Sequence, residues 1–330
     1  MKDRTEERIS IDNHLDRIDD EVLKQEILQG LKGTPKRIPS KFFYDKRGSA
    51  LFEEITRLEE YYPTRCEKYI LKTLGGEIRL GSHGNNELKI IELGSGDSSK
   101  IRLFLHSFPP DRLSRLIYYP VDISEDAIRG ALSDLTHEFP MLRIRGIVAD
   151  FLEHLRFLPR SEPRLFCFFG STIGNMDEPE ADRFMAELGR QMQPGDHLLL
   201  GLDMVKDVNV LENAYNDEPG VTARFNKNIL FVANELLDAD FDPESFEHRA
   251  FYHRERQRIE MHLLARKNML VRCGKNGPEI DIRQGEGIHT ENSRKFSRDQ
   301  IHELADRGQL KVNEIFADPK GWFSVVHYTK

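Results

Sequence analysis

From Leu88 onward, short and almost continuous apolar runs alternate with longer amphipathic stretches. The apolar runs predict strands, and the amphipathic stretches predict helices because their apolar residues recur at helical spacing. The predicted strands cover residues 88–93, 116–123, 142–149, 165–170 and 197–203, and the predicted helices cover residues 101–108, 125–139, 151–158 and 179–192. Apolar strands separated by helices are typical of a parallel sheet with both faces covered, so we predict an α/β fold.

The regular alternation stops after Asp203. A short helix at 211–215 and a longer helix at 221–237 precede two extended stretches, 246–267 and 280–291, whose pattern favours antiparallel strands. A helix at 298–307 and strands at 312–317 and 323–328 then close the chain. A final helix with two adjacent strands fits a sheet whose last strand is antiparallel.

The first 60 residues have a mostly helical pattern, with an apolar face formed by Leu15, Ile18, Val22, Ile27 and Leu31. Gly33 and Pro35 break this helix, and a second helix is predicted over residues 49–58. We therefore predict two domains. Residues 65–205 and 295–330 form the α/β domain, and residues 1–64 and 206–294 form a substrate-binding domain that covers its ligand-binding edge.

The chain has 330 residues, 38% of them hydrophobic, which is enough for a sizeable core. No apolar run approaches the roughly 20 residues that span a bilayer, and the densely charged start lacks the apolar segment of a signal peptide. The net charge of -8 argues against a nucleic-acid partner, since such proteins neutralise phosphates with clustered Lys and Arg. Three widely spaced cysteines favour neither disulfides nor a metal site. We expect a cytoplasmic protein, monomeric by default, that acts on a small molecule without a metal, membrane or nucleic-acid partner.

A glycine turn, Gly94-Ser95-Gly96, separates the first predicted strand from the helix that follows it. Glycine is needed where the backbone turns sharply and a ligand lies against it, so the turn predicts a nucleotide cradle. The dinucleotide fingerprint requires a third glycine where this chain has Ser99, and the Gly-Lys-Ser/Thr of a phosphate loop is absent. With the acidic Glu92 two residues before Gly94, the turn resembles the first motif of Rossmann-like methyltransferases that bind S-adenosylmethionine.

Polar residues also follow the next strands at their carboxyl ends. Asp122 ends the second strand, and its carboxylate can accept both ribose hydroxyls of an adenosine. After the third strand, Asp150 can accept the adenine amino group and Phe151 can flank the ring. Another glycine-containing turn, from Gly170 to Asn175, follows the fourth strand. Since ligands of such sheets bind beyond the carboxyl ends of the strands, we expect these residues to form one site.

Several stretches closely resemble the histidine-specific Nα-methyltransferases, which make hercynine, the trimethylated betaine of histidine, in ergothioneine biosynthesis. In chain order from Pro39 they are PSKFFYDKRGSALFEEITRLEEYYPTR, IELGSGDSSK, FFGSTIGN, GLDMVKD, YNDEPGVTARFNKN, RIEMHL and HTENSRKF. The resemblance implies a Rossmann-like methyltransferase sheet with a second α+β substrate-binding domain. It also implies three successive methyl transfers from S-adenosylmethionine to L-histidine and its mono- and dimethylated forms.

The resemblance implies a cofactor site composed of Gly94, Lys100, Asp122, Asp150 and Phe151. Lys100 is expected near the methionine carboxylate. The implied acceptor site consists of Tyr44, Tyr61, Gly170, Asn175, Tyr215, Met261, Glu291, Asn292 and Ser293. Of these, Asn175 and Tyr215 match residues that bind the carboxylate end of the amino acid. Glu291 and Ser293 match the pair that hydrogen-bonds the imidazole ring, and Met261 lines the same side-chain pocket.

Two points stay open at the level of sequence. The α-amino group must reach the methyl group deprotonated, and either Tyr44 or solvent can take the proton. The acceptor could be another amino acid such as tryptophan or tyrosine, although Glu291 and Ser293 argue against it. A non-catalytic scaffold that binds S-adenosylmethionine is a further alternative, which the intact strand-end residues disfavour.

Overall fold

The computed structural model describes residues 9–15, 20–74, 78, 87–152, 154–161, 163–275 and 277–330. The chain divides into two compact units. The core unit comprises the described residues of 1–16, 65–204 and 296–330, and the second unit comprises those of 17–64 and 205–295. In the part of the chain that the structure covers, no helix is long and apolar enough to cross a membrane.

The strands, in chain order, are β1 (Ile9–Asn13), β2 (Lys36–Arg37), β3 (Leu88–Leu93), β4 (Leu116–Asp122), β5 (Arg143–Val148), β6 (Arg164–Phe168), β7 (His197–Asp203), β8 (Phe246–His253), β9 (Arg258–Ala265), β10 (Met269–Arg272), β11 (Glu279–Ile282), β12 (Gly287–Arg294), β13 (Lys311–Ala317) and β14 (Phe323–Thr329). The α-helices are α1 (Asp20–Lys32), α2 (Lys46–Ile55), α3 (Tyr62–Leu74), α4 (Ser99–His106), α5 (Pro110–Leu113), α6 (Glu125–Glu138), α7 (Glu178–Gln191), α8 (Val208–Asn213), α9 (Val221–Leu237) and α10 (Arg298–Gly308). Short 3-10 turns occur at Ser40–Phe43, Leu155–Phe157, Thr172–Asn175 and Pro243–Ser245.

The core unit is built on an eight-stranded sheet of order β1-β5-β4-β3-β6-β7-β14-β13. The pairings from β1 to β7 are parallel, whereas β14 runs antiparallel to both β7 and β13. This order reverses direction at β3, since β4 lies on one side of it and β6 on the other. Such a switch point leaves a crevice beyond the carboxyl ends of the strands. The predicted α/β class and the antiparallel last strand are confirmed.

Both faces of this sheet are covered, which explains the near-continuous apolar runs. Ile91 belongs to an apolar cluster with Phe184 of α7 and Ile301 of α10. Its neighbour Ile90 belongs to the cluster on the other face, with Leu71 of α3. Successive side chains of a strand point to opposite faces, so both must be apolar when both faces are buried.

Two predictions for the core are wrong. The predicted substrate-binding domain includes residues 1–64, but β1 pairs in parallel with β5 of the core sheet, with Ile9 opposite Ile144. The alternation of Ile9 and Ile11 has the period of a strand, which overrides the helical interpretation. The predicted helix at 151–158 is, among its described residues, only the 3-10 turn at Leu155–Phe157. There the carboxylate of Asp150 accepts a hydrogen bond from the backbone N–H of Leu152 at 2.9 Å, a local turn that competes with a helix.

The second unit contains a four-stranded sheet of order β2-β12-β9-β8 and the two-stranded pair β10-β11. β12 runs antiparallel to β9, and β9 runs antiparallel to β8, as the extended stretches predicted. The register places Glu291 opposite Met261 and Ser293 opposite Ile259, with an irregularity between His289 and Glu291. Of the predicted N-terminal helix face, Leu15 lies outside a helix, Ile18 lies outside the described residues, and the other positions belong to α1.

Candidate functional site

The glycine turn after β3 forms a cradle at the switch point of the core sheet. Gly94 has a φ of 66°, a conformation that side chains rarely adopt. Its N–H donates to the carbonyl of Val121 in β4 at 2.8 Å, which ties the turn to the neighbouring strand. A Cβ added to Gly94 would lie 3.5 Å from the ring of Phe151, so a side chain would occupy the space between the turn and that ring.

Asp122 at the end of β4 holds the same turn from the side. Its carboxylate accepts hydrogen bonds from the N–H groups of Gly96 at 3.0 Å and Ser124 at 2.9 Å. Burial raises the pKa of Asp122, and these two N–H donors oppose the rise. A carboxylate offers about four lone-pair positions, so Asp122 keeps acceptor capacity for a ligand in the cradle.

Asp150 and Phe151 lie after β5, next to the cradle. The ring of Phe151 packs edge-to-face against Phe168, with ring centres 5.2 Å apart, and against Phe184 at 6.1 Å. These edge-to-face contacts fix the orientation of the Phe151 ring beside Gly94. The structure therefore brings together Gly94, Asp122 and Phe151, and it places Asp150 one residue away in the same loop.

Lys100, in the first turn of α4, is held by a residue that the sequence analysis missed. Glu67 of α3 is 1% exposed, and its carboxylate lies 3.0 Å from the ammonium of Lys100. Both oxygens of Glu67 also accept from the N–H of Gly170, at 2.8 and 3.0 Å. The spacing of Glu67 to Ile70, Leu71 and Leu74 was the available signal, because it puts a carboxylate on the apolar stripe of an amphipathic helix.

Glu92, two residues before Gly94, is a second buried carboxylate of the core unit. Tyr118 of β4 donates a hydrogen bond to it. Burial raises the pKa of Glu92 to about 8, and the bond from Tyr118 opposes the rise. The acidic residue of the turn motif, Glu92, is therefore buried inside the core unit, at the end of the strand that leads into the cradle.

The turn after β6 contains the two predicted acceptor residues of the core unit. Gly170 has a φ of 82°, and a Cβ there would lie 2.8 Å from the ammonium of Lys100. Ser171 follows in a left-handed conformation, and its hydroxyl accepts from the N–H of Asp203 at 2.9 Å. The 3-10 turn at Thr172–Asn175 then places Asn175 at its end.

In the second unit, aromatic rings connect three predicted acceptor residues. Tyr44 packs edge-to-face against Phe52 of α2, with ring centres 5.8 Å apart. Phe52 contacts Tyr61 at 6.2 Å, and Tyr61 contacts Tyr215 at 6.2 Å in the same manner. Tyr44 is 40% exposed, whereas Tyr215 is buried. The three tyrosines thus lie along one row although they come from three separate segments.

The remaining predicted acceptor residues lie on β12 and β9. Glu291 and Ser293 are buried and lie two residues apart, so they share one face of β12. The hydroxyl of Tyr215 donates to Oγ of Ser293 at 2.7 Å, and the ammonium of Lys295 donates to both hydroxyls, at 3.1 Å to Tyr215 and 2.8 Å to Ser293. Burial raises the pKa of Glu291 to about 8, against the attraction of Lys295. Lys295 was missed, although it continues the every-second-residue pattern of Glu291 and Ser293.

Two motifs of the second unit, the Asn-Lys-Asn stretch at 226–228 and the Thr-Glu-Asn-Ser stretch at 290–293, are hydrogen-bonded to each other. The hydroxyl of Thr290 donates to Oδ1 of Asn226 in α9 at 2.6 Å, and the amide of Asn226 donates to the carbonyl of His262 in β9 at 3.1 Å. Two residues further along α9, Asn228 donates to the carboxylate of Asp45 at 2.7 Å. The Asn-Lys-Asn stretch therefore fixes β12, β9 and the start of α2 to one helix.

Asn292, between Glu291 and Ser293, lies near a cluster with metal-compatible atoms. Ligand atoms of Glu260, His262 and His289 lie within 4.8 Å of one another, and Asn292 Oδ1 lies 2.9 Å from Nε2 of His289. Arg258 donates to Glu260 at 2.6 Å, and His262 Nε2 lies 3.1 Å from the same carboxylate. Hydrogen bonding from His262, together with Arg258, lowers the pKa of Glu260 to about 2. The carboxylate is thus already paired with Arg258, and we assign no metal to it.

Comparisons with known proteins agree with the motifs. A family model described as histidine-specific methyltransferase, SAM-dependent, matches residues 23–330. The chain is 42% identical over 306 residues to the histidine N-alpha-methyltransferase of Mycolicibacterium smegmatis, covering 92% of this chain and 94% of that protein. It is 41% identical over 307 residues to the enzyme of the same name from Mycobacterium tuberculosis, with the same coverage. It is also 28% identical over 310 residues to ergothioneine biosynthesis protein 1 of Schizosaccharomyces pombe, covering 89% of this chain and 39% of that protein. The resemblance drawn from the motifs is confirmed.

Proposed function

Because the chain belongs to the family of histidine-specific, S-adenosylmethionine-dependent methyltransferases, we propose that it methylates the α-amino nitrogen of L-histidine. Three successive transfers give hercynine, the precursor in ergothioneine biosynthesis. The observation that carries the proposal is the buried pair of Glu291 and Ser293 on one face of β12. Together they offer a carboxylate and a hydroxyl to the two ring nitrogens of an imidazole.

The cradle of the core unit fits S-adenosylmethionine. Gly94 leaves room for a ligand beside Phe151, whose ring would flank the adenine. Asp122 would accept the ribose hydroxyls, Asp150 the adenine amino group, and Lys100 would bind the methionine carboxylate. When bound, this cofactor supplies a methyl group that its sulfonium already activates. The chain therefore has to bind and align the two reactants rather than generate a reactive group.

The acceptor amino acid would be held at both ends. Asn175 and Tyr215 would bind its carboxylate, Tyr61 and Gly170 would add contacts, and Met261 would line the pocket of the ring. The side chain of Asn292 bonds His289, which leaves its backbone as the group that could reach the substrate. A substrate without the ring nitrogens would lose its hydrogen bonds to Glu291 and Ser293, and sites built around such bonds reject analogues by roughly 10⁴-fold.

Tyr44 is the proposed group near the α-amino nitrogen. An ammonium has no lone pair, so one proton must leave the nitrogen before each of the three transfers. Tyr44 lies at the exposed end of the aromatic row, where its hydroxyl can accept a hydrogen bond from the ammonium and relay the proton, by passing its own hydrogen to water. Tyr44→Phe should lower the rate most at low pH, where the amine is protonated. Full turnover of Tyr44→Phe across the pH range would assign proton release to solvent instead.

A turnover assay tests the proposed function. Purified protein is incubated with S-adenosylmethionine and either histidine, tryptophan or tyrosine, and the products are followed by mass spectrometry. We expect mono-, di- and trimethylated histidine and no product from the other two acceptors. Methylation of tryptophan or tyrosine alone would assign a different acceptor, and binding without turnover would leave a scaffold. Cytoplasmic location, a monomeric state, and the lack of nucleic-acid and membrane partners remain predictions from the sequence.

A further inference from the structure

Lys295 is a charged residue inside the second unit, directly after β12. It is 1% exposed, and its ammonium hydrogen-bonds the hydroxyls of Ser293 and Tyr215 at 2.8 and 3.1 Å. The same nitrogen lies 4.9 Å from the centre of the Tyr215 ring. A buried ammonium is costly unless other groups satisfy it, so its placement between two proposed substrate ligands requires a reason.

The hydrogen bonds among Lys295, Ser293 and Tyr215 restrict where each hydroxyl hydrogen can point. An ammonium donates only, so the oxygens of Ser293 and Tyr215 must both accept on the side that faces Lys295. A hydroxyl has one hydrogen and two lone pairs. With one lone pair directed at Lys295, the hydrogen of each hydroxyl points away from the ammonium. In the structure the hydrogen of Tyr215 is directed to Oγ of Ser293 at 2.7 Å, so both lone pairs of Ser293 are occupied and its own hydrogen is left for another acceptor.

Glu291 completes the pattern on the same face of β12. Residues 291, 293 and 295 are all buried, whereas 292 and 294 between them are only partly buried. A ring N–H that donates to Glu291 favours the ionised form of its carboxyl group, which accepts only, so with a ring bound Glu291 and Ser293 offer one acceptor and one donor. A neutral imidazole presents the complementary pair, one ring N–H and one bare ring nitrogen.

We propose that Lys295 is a positioning residue that sets acceptor specificity by fixing Ser293 as a hydrogen-bond donor. The ring of the acceptor then binds in a single tautomer, with its N–H on Glu291 and its bare nitrogen on the hydroxyl of Ser293. This inference rests on the proposed function, since it assumes that Glu291 and Ser293 read the ring.

The test compares histidine with the two pyrrolylalanines, which keep a ring N–H and lack the bare nitrogen. Initial rates of the first methyl transfer give kcat/KM for wild type, Lys295→Met and Lys295→Arg. We expect Lys295→Met to lower kcat/KM for histidine roughly tenfold or more, mainly through KM, because a hydrogen bond between charged and polar groups is lost. The loss for the pyrrolylalanines should be at least about threefold smaller, since they never used the hydroxyl as a donor. Lys295→Arg, also a pure donor, should restore the wild-type ratio.

Controls separate this inference from a purely structural role. Lys227→Met, a partly buried lysine that pairs with Glu244 at 3.1 Å, should leave the ratio of histidine to pyrrolylalanine unchanged. In a Ser293→Ala background, Lys295→Met should not change that ratio further. An equal loss for all acceptors would overturn the inference while histidine methylation stands, whereas no methylation of histidine by wild type would overturn the proposed function itself. If Lys295→Met does not fold, Tyr215→Phe is used in its place, because losing the phenol hydroxyl frees one lone pair of Ser293. An unchanged ratio of histidine to pyrrolylalanine kcat/KM in Tyr215→Phe would equally overturn the inference.

Discussion

Glu291 and Met261 lie directly opposite each other in the antiparallel pairing of β12 with β9. Both side chains are buried, and one is a carboxylate whereas the other is a long apolar chain. The pair therefore sets both the polarity and the volume available at this point of the second unit. Changing both residues together should change which ring is accepted.

The double substitution Glu291→Ala with Met261→Val should shift the preference from histidine to a larger aromatic amino acid. It removes the acceptor for the ring N–H and enlarges the pocket, so kcat/KM for histidine should fall on the order of 10³-fold or more. Methylation of tryptophan should become measurable in competition with histidine. Met269→Val on β10 is the volume control and should leave the preference unchanged. A double variant that stayed strictly histidine-specific would show that the pocket is elsewhere.

The raised pKa of Glu291 predicts a pH dependence of stability. Burial raises this pKa from 4.5 to about 8. The folded state thus holds the proton more tightly than the unfolded state, so the contribution to stability is complete below about pH 4.5 and is lost as the pH rises through about 8. Glu291→Gln lacks this titration. The Tm of ligand-free Glu291→Gln minus that of wild type should therefore increase between about pH 5 and pH 8, by about 2 °C or more. A difference that is constant with pH would contradict the assignment.

Asp122→Asn should weaken cofactor binding more than it weakens folding. The amide can still accept from the N–H of Gly96, but it lacks the charge that would bind the ribose hydroxyls. We expect the Kd for S-adenosylhomocysteine, measured by calorimetry, to rise roughly 10-fold to 100-fold, the range for hydrogen bonds to a charged group. Asp126→Asn, on the exposed face of α6, is the matched control. Equal Kd values for both variants would remove Asp122 from the cofactor site.

Glu67→Ala should destabilise the protein although Glu67 is not expected to touch a substrate. The change removes the bonds to Gly170 and the ion pair with Lys100, and it leaves a void in a buried position. We expect a loss of about 2–4 kcal/mol in the free energy of unfolding, from denaturant titration. Glu53→Ala breaks the exposed pair with Arg57 and should cost less than about 1 kcal/mol. Similar losses for both variants would mean that the buried contacts of Glu67 contribute little.

Much of the core unit could be predicted from local pattern. The runs ending at Leu93 and Asp122 are apolar because both faces of the sheet are covered, and the glycines at 94 and 96 have positive φ because the turn requires it. Periodicity and turn chemistry are properties of neighbouring residues, so they can be read without knowing the fold. The sequence motifs likewise identified the family without knowledge of the fold.

Contacts between distant residues could not be predicted in this way. Glu67 and Gly170 are separated by 103 positions, and Tyr215 and Lys295 by 80, yet each pair meets through hydrogen bonds. The short β1 was assigned to a helix because the alternation of two residues, Ile9 and Ile11, is a weak signal until the pairing with β5 is known. The sequence by itself determined the five parallel strands from β3 to β7, the glycine cradle and the family. Only the tertiary structure decided which buried charges hold Lys100 and Ser293, because the partner of a buried charge is chosen by chain packing rather than by the residues beside it.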